Sequence, residues 1–193
     1  MAGSVNGTAL ARARDAVELV GSDPARARAV ATAVLRESPS GLPAAEAERA
    51  LGMAARHDQD MATAVSHLTR SIRLADRAGA ADTAADVRVS LALALAYQGR
   101  IRAALAALDR AAAAAGGSRL ARVELQRAAV WQVQGRVDAA LAAYDTAEPL
   151  LVQAGDTMAL AVLHNNRGLV RSRRGLLAVD ASTGAIHAEA TLP

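Results

Sequence analysis

A stretch of 21 residues occurs twice in this chain with the same pattern. Residues 91–111 read LALALAYQGRIRAALAALDRA, and residues 127–147, which begin 36 positions later, read RAAVWQVQGRVDAALAAYDTA. Both contain Gln-Gly-Arg, then a β-branched residue and an Ala- and Leu-rich run. Repetition at a period of about 20 to 50 residues is typical of an array of similar structural units, so this feature limits the possible folds more than any other.

Weaker copies of the pattern lie on both sides, at 51–71 and 167–187, and a looser copy lies at 18–38. Three register positions can be followed through the four clearer copies: a turn position (Gln59, Gly99, Gly135, Gly175), a small position (Ala64, Ala104, Ala140, Asp180) and a large position (Leu68, Leu108, Tyr144, Gly184). The small residues predict closely packed helices, and a large side chain in place of Ala104 or Ala140 should overpack the interface.

Each unit contains two helical stretches separated by a turn. Val87, Leu91 and Leu95 recur every four residues in the first stretch of one copy, and Leu105 and Leu108 mark one face of the second. Glycine at the turn accepts a positive φ at little cost, and polar loops join the units. We therefore predict an all-α fold, an α-solenoid of about five antiparallel helical hairpins.

The repeat also predicts the limits of the folded region. We expect a helical repeat domain at 9–175, after a disordered N-terminus at 1–8 and before a degenerate or truncated last helix at 176–193. The last stretch fits the repeat poorly, because it contains a Ser-Thr-Gly run at 182–184, and these residues are poor helix formers. It also fits a β-hairpin with a turn between Asp and Gly. A frayed last helix is the preferred interpretation, and the chain could be a fragment of a longer protein.

The pattern resembles the tetratricopeptide (TPR) repeat. Leu51 and Gly52 match its Leu-Gly element, Trp131 stands at an aromatic position of a first helix, and the second half of that copy matches at Gly135, Ala140, Tyr144 and Ala147. The resemblance covers residues 43–175 and implies a right-handed superhelix. It also implies that the first helix of each hairpin lines a concave face where a peptide or protein partner binds.

A narrower resemblance lies in the Ala- and Arg-rich runs SLALALAYQGR and LHNNRGLVRSRRG. They are similar to the TPR region that precedes the CHAT domain, a caspase-like peptidase, in proteins of high-GC bacteria. This resemblance implies a regulatory or recognition segment. A caspase-like peptidase needs a Cys, and this chain has none, so we expect no catalysis here.

The residue content gives no sign of an enzyme or of a bound cofactor. The four histidines, His57, His67, His164 and His187, are far apart and lack the spacing of metal ligands, and His67 has no carboxylate near it in the sequence. Without Lys there is no Walker phosphate loop, and no Gly-x-Ser-x-Gly elbow is present. We expect a cytoplasmic location, because no stretch resembles a signal peptide or reaches the length of a membrane span.

Charge gives only weak support to a nucleic-acid partner. All 22 residues counted as Lys or Arg are Arg, yet 19 acidic residues are interleaved with them and the net charge is +3. Such a pattern is typical of a solvated helix surface, and four acidic residues, Glu46, Glu48, Asp82 and Asp86, are expected to be exposed on it. A helical-repeat nucleic-acid binder, which would need a clustered basic face, and a TPR sensor segment of a transcriptional regulator remain the alternatives.

The TPR resemblance places eleven residues on or near the concave face: Arg49, Met53, Arg56, His57, Leu93, Tyr97, Arg122, Gln126, Asn165, Asn166 and Arg173. Their mixture of arginines and amides favours an extended peptide that is acidic or ends in a carboxylate, since arginine forks suit carboxylates. Asn165 and Asn166 could hold a peptide backbone or join two helices. An exposed end hairpin could also pair with a second copy of the chain.

Arg127 and Arg167 occupy a register position that Leu51 and Leu91 fill in the earlier copies. Two interpretations are open. Each arginine could pack its aliphatic stem between helices while its head reaches water, or each could face the concave groove and clamp a carboxylate of the partner.

Overall fold

The computed structural model describes the backbone of residues 2–113 and 115–183, and the side chains of residues 7–113 and 115–172. This part of the chain is all-α and contains no strand. Its nine helices are α1 (Ala2–Leu19), α2 (Pro24–Glu37), α3 (Gly41–His57), α4 (Met61–Arg77), α5 (Ala81–Tyr97), α6 (Ile101–Ala112), α7 (Gly117–Val133), α8 (Val137–Ala154) and α9 (Thr157–Thr183).

The helices pack in the order in which they follow one another along the chain. α1 packs against α2, α3 against α4, α5 against α6 and α7 against α8, which gives four helical hairpins, and α9 packs against α8. The first helices also contact one another, α1 with α3, α3 with α5 and α5 with α7. This is the packing of a helical-repeat solenoid, in which each unit buries its apolar face against its neighbours, and the predicted fold class is confirmed.

The turn inside the hairpin has one geometry in three copies. Gln59, Gly99 and Gly135 have φ values of 62°, 73° and 71°. In each copy the next residue donates its backbone N–H, at 2.9 Å, to the carbonyl five positions back (Asp60 to Ala55, Arg100 to Leu95, Arg136 to Trp131). This is the Schellman arrangement that ends a helix through a left-handed residue, and these three predicted turn positions are confirmed.

The small and large register positions form the seam within each hairpin. Ala64, Ala104 and Ala140 are fully buried, as are Leu68 and Leu108. α3 and α4 approach each other closely at Gly52, where an added Cβ would lie 2.6 Å from Leu68 Cγ. The Leu-Gly element of the sequence is therefore explained by packing, because only glycine leaves room for the leucine of the next helix.

The structure differs from the sequence-based prediction at both ends. α9 runs without a break from Thr157 to Thr183, so the turn predicted at Gly175 is absent, and 176–183 continues α9 instead of forming a helix of its own. The other hairpin turns are followed by Asp60, Arg100 or Arg136, but Gly175 is followed by Leu-Leu-Ala, which favours helix. Residues 184–193 lie outside the described residues.

At the other end, α1 begins at Ala2, within the stretch 1–8 that was expected to be disordered. Ala9, Ala13 and Ala16 of α1 are buried against the first core cluster, and a packed helix extends readily by adding one hydrogen bond per residue. Among the described helices, none combines the length and the apolar character needed to cross a membrane.

Candidate functional site

An open cleft of about 360 Å³ crosses the first helices of four successive units, α1, α3, α5 and α7. A smaller cleft of about 80 Å³ adjoins it and shares Arg49, Asp86 and Arg119 with it. Together they form what we call the charged groove. Eight charged residues line it, four arginines and four acids: Arg14, Arg49, Arg119, Arg122, Glu18, Glu46, Asp82 and Asp86.

A network of ion pairs runs across the charged groove with Asp86 at its centre. Arg49 Nη1 lies 3.4 Å from Glu46 Oε2 and 4.0 Å from Asp86 Oδ2. From the other side, Arg119 Nε lies 3.7 Å from Asp86 Oδ1, and Arg119 Nη1 donates to Asp82 Oδ1. The hydrogen bond that Arg119 donates to Asp82 is the main reason why the pKa of Arg119 is raised above its ordinary value, against the effect of burial. The network links α3, α5 and α7 and holds the arginine heads in place.

Glu46 anchors this network from a buried position, with 5% of its surface exposed. Thr83 Oγ1 donates to Glu46 Oε1 at 3.3 Å. Glu48 is buried too, and its Oε2 lies 2.5 Å from His67 Nδ1. The expectation that Glu46 and Glu48 are exposed was wrong, and so was the expectation that His67 has no carboxylate near it. Both acids face a neighbouring helix that supplies a polar partner, which is the condition for burying a carboxylate.

Some arginine nitrogens in the charged groove form no hydrogen bond. Nε of Arg49 and Nε of Arg119 are buried without a hydrogen-bond partner. Arg122, which lines the smaller cleft beside them, is exposed and forms no ion pair with any described residue. Buried donors are normally satisfied. The exposed guanidinium of Arg122 is the group in this cluster that can donate to an anionic guest such as a carboxylate.

Of the eleven residues predicted for the concave face, the structure brings Arg49 and Arg122 together in the charged groove. Met53 instead packs, half-buried, against the core cluster of the first three helices. Its register position faces α1 and α2 here, because the first hairpin covers this side of α3.

Five other predicted residues lie outside the lining of the charged groove, closer than the groove residues to the C-terminal ends of α3, α5 and α7. Tyr97 is 56% exposed, His57 is exposed with its Nδ1 3.5 Å from Asp58 Oδ1, and Leu93 is half-buried. Arg56 and Gln126 are half-buried, and each has one side-chain nitrogen without a hydrogen-bond partner (Nε of Arg56, Nε2 of Gln126). These two residues are further polar groups that a partner could satisfy.

The predicted residues on α9 take different roles. Asn165 is exposed and Asn166 is half-buried. Burial raises the pKa of Tyr144, and the hydrogen bonds from Gln132 and Asn166 partly offset this. Neither asparagine lines the charged groove. The side chain of Arg173 lies outside the described residues.

Arg127 and Arg167 do not line the charged groove. Arg127 lies 3.1 Å from Glu124 and 2.9 Å from Asp109 of α6. Arg167 lies 2.6 Å from Glu148 of α8, and this contact, with burial opposing it, lowers the pKa of Glu148. Both heads reach across to the preceding second helix, so Arg127 joins the third and fourth hairpins and Arg167 joins α9 to the fourth.

Sequence reasoning missed Glu46, Asp86 and Arg119 as groove residues. A signal for two of them was present, because Glu46, Asp86 and Arg122 occupy one register position in three successive copies, with spacings of 40 and 36 residues. A position that is charged in three units but changes sign is a candidate for cross-unit ion pairing. In the described part of the chain, no group of three or more possible metal ligands comes together.

No family model matches this chain, and no curated protein matches it.

Proposed function

We propose that this chain is a non-catalytic interaction scaffold of the tetratricopeptide kind, which binds an extended peptide or protein partner in the charged groove. The observation that supports this proposal is the groove itself: four first helices contribute to one open channel, and Arg122 at its side is exposed and unpaired among the described residues. An extended partner would contact several units at once, which is how solenoids use their long surfaces.

The partner we propose is an acidic segment or a chain end that carries a free carboxylate. Arg122 is exposed and unpaired among the described residues. The Nε atoms of Arg49 and Arg119 form no hydrogen bond, and Arg119 Nε lies 3.7 Å from Asp86 Oδ1. A carboxylate can accept two donors of an arginine fork at once. Because Asp86 and Glu46 already hold Arg49 in place, less side-chain freedom is lost on binding, which favours affinity.

The wider context of the proposal rests on the sequence resemblance alone. A TPR segment with this composition fits the recognition or regulatory part of a larger system in the cytoplasm, such as a CHAT-type protease. A TPR sensor segment of a transcriptional regulator would use the groove in the same way.

A nucleic-acid partner is the weaker candidate, because the charged groove contains four acids beside its four arginines. A phosphate backbone needs a surface that is clearly basic. Strong retention of the full chain on heparin, falling steeply with salt, would favour that candidate over the scaffold.

The test uses fluorescence anisotropy with two labelled peptides of the same acidic sequence, one with a free C-terminal carboxylate and one amidated. The full chain is compared with Arg122→Glu and with Arg102→Glu, which makes the same charge change at an exposed residue of α6 that has no described partner. We expect Arg122→Glu to weaken binding by about tenfold, as for loss of one charge-assisted pair, and Arg102→Glu to leave it unchanged. Equal binding by all three proteins contradicts the proposal.

A further inference from the structure

A second cleft opens on another side of the same repeats, between α4 and α6 and over α5. Its volume is about 290 Å³, and it shares no lining residue with the charged groove. Its floor is apolar and consists of Ile72, Leu91, Leu95, Ala103 and Ala107. We call it the apolar cleft.

The rim of the apolar cleft is cationic. It contains Arg73, Arg88, Arg110 and one acid, Asp76. Asp76 is occupied by Arg88, whose Nη2 donates to both carboxylate oxygens at 3.0 and 3.2 Å. Arg73 and Arg110 are exposed and pair with no residue that the structure describes. Two arginine heads therefore stand unpaired beside an apolar floor.

The next unit has larger side chains at the equivalent positions. Trp131 stands 36 positions after Leu95 and packs against a core cluster that includes Ala143, the equivalent of Ala107. Arg127 stands where the apolar cleft has Leu91, and it reaches Asp109 at 2.9 Å. The apolar cleft is thus the place where one unit lacks the large side chains of the next.

We propose that the apolar cleft docks an acidic peptide segment of a partner protein through one large apolar or aromatic side chain. The anchor side chain occupies the volume that Trp131 fills one unit later, and acidic residues on either side of the anchor pair with Arg73 and Arg110. At about 300 Å³, which is the lower limit for a ligand pocket, the space suits one anchor. Binding energy in such contacts concentrates in a buried anchor side chain, and the flanking charges select the partner. This site is independent of the charged groove.

The experiment measures the anisotropy of three labelled, C-terminally amidated 12-residue peptides. The first has one central Trp flanked by Glu in a Gly/Ser background, the second has Ala for Trp, and the third has Lys for Glu. With the full chain we expect the first peptide to bind at least about tenfold more tightly than the other two. Equal binding of the Trp and Ala peptides, or no saturation up to about 1 mM, overturns the proposal.

Variants of the chain then locate the site. Arg110→Glu should weaken binding of the Trp peptide by about tenfold, whereas Arg102→Glu, the same charge change at an exposed residue of α6 outside both clefts, should leave it unchanged. Leu95→Trp should close the cleft and abolish binding while circular dichroism and thermal melting stay those of a folded protein. If Leu95→Trp does not fold, Arg73→Glu serves as the second variant, since Arg73 is exposed.

The variants also separate this proposal from its alternatives. A loss of binding with Arg122→Glu but not with Arg110→Glu assigns the Trp peptide to the charged groove and overturns the second site. A concentration-dependent self-association that disappears in Arg110→Glu identifies a second copy of the chain as the occupant and overturns the proposed partner. Failure of the carboxylate peptides at the charged groove leaves the result for the apolar cleft unaffected.

Discussion

Arg127 of α7 contacts Asp109 of α6 through Nη1 and Oδ1 at 2.9 Å, and one unit later the same two atoms join Arg167 of α9 to Asp145 of α8 at 3.3 Å. The two pairs occupy equivalent register positions, 40 and 36 residues apart. In the preceding unit the position of Arg127 is Leu91, which is part of an apolar cluster. The contacts of α7 with α6 and of α9 with α8 therefore include an ion pair at this position, whereas α5 has a leucine there.

The stability of the Arg127 contact should depend more on Glu124 than on Asp109. Asp109 is 66% exposed, so Asp109→Ala should change the free energy of unfolding by less than about 0.5 kcal/mol. Glu124 is only 12% exposed, and Arg127→Leu leaves its carboxylate without a cation, which should cost about 1–2 kcal/mol. Urea unfolding of the two variants measures both values. An equal cost for the two substitutions would contradict this account.

The turn at Gln59 should be improved by glycine. Gln59 has a φ of 62°, where the equivalent copies have Gly99 and Gly135, and a left-handed conformation is unfavourable for a residue with a Cβ. We expect Gln59→Gly to raise the free energy of unfolding by about 0.5–1 kcal/mol and Gly135→Ala to lower it by about 1 kcal/mol. Thermal melting checks both changes.

Gln98, which precedes the equivalent turn residue Gly99 in the next unit, provides a control for this substitution. Its φ is −83°, so Gln98→Gly relieves no strain and should lower stability through the added freedom of the unfolded chain. A gain in stability of the same size for Gln98→Gly and Gln59→Gly would show that the left-handed turn is not the cause.

The close approach of α3 and α4 at Gly52 should tolerate no side chain. In Gly52→Ala the new Cβ would lie 2.6 Å from Leu68 Cγ and 3.2 Å from the carbonyl oxygen of Ala64, and overpacking of this kind costs about 1–3 kcal/mol. Gly168→Ala is the control, because a Cβ there meets no atom within 4 Å. Since alanine is the better helix former, Gly168→Ala should raise stability by about 0.5–1 kcal/mol. If both substitutions raised or both lowered the free energy of unfolding, the close packing described at Gly52 would be contradicted.

Acid should weaken the contact between α8 and α9 through Glu148. The hydrogen bond from Arg167 lowers the pKa of Glu148 below its ordinary value of 4.5. This stabilisation is present above pH 4.5 and is lost as the pH falls through the lowered pKa. Wild type should therefore melt higher than Glu148→Gln at neutral pH, and the difference should vanish in acid. In an Arg167→Met background the difference at neutral pH should be small, and a difference that persists there would exclude Arg167 as the cause.

The helical hairpins and their turns could be predicted from the sequence because they depend on local properties. Apolar residues recur every three or four positions, and Gly99 and Gly135 mark left-handed turns that other residues adopt at a cost. The predicted turn at Gly175 was wrong, because this glycine lies within the continuous helix α9. A glycine ends a helix only when the residues after it favour a new start, and Leu-Leu-Ala does not.

The candidate site was only partly predictable. Register predicted that Arg49 and Arg122 share a face, and both line the charged groove, but Asp86 and Glu46 were expected to be simple surface residues. Helical periodicity gives the direction of a side chain within its own helix, and it does not say which residue of a neighbouring helix lies opposite.

The amino-acid sequence by itself determined the period of the array, the helical class and the small residues of each hairpin seam, since these follow from interactions between residues close together in the chain. Only the tertiary structure decided that Glu46 is buried beside Thr83, that Asp86 lies between Arg49 and Arg119, and that Arg127 turns toward Asp109. These contacts join residues 18 to 37 positions apart. They depend on the distance and rotation between packed helices, which the stacking of whole units sets.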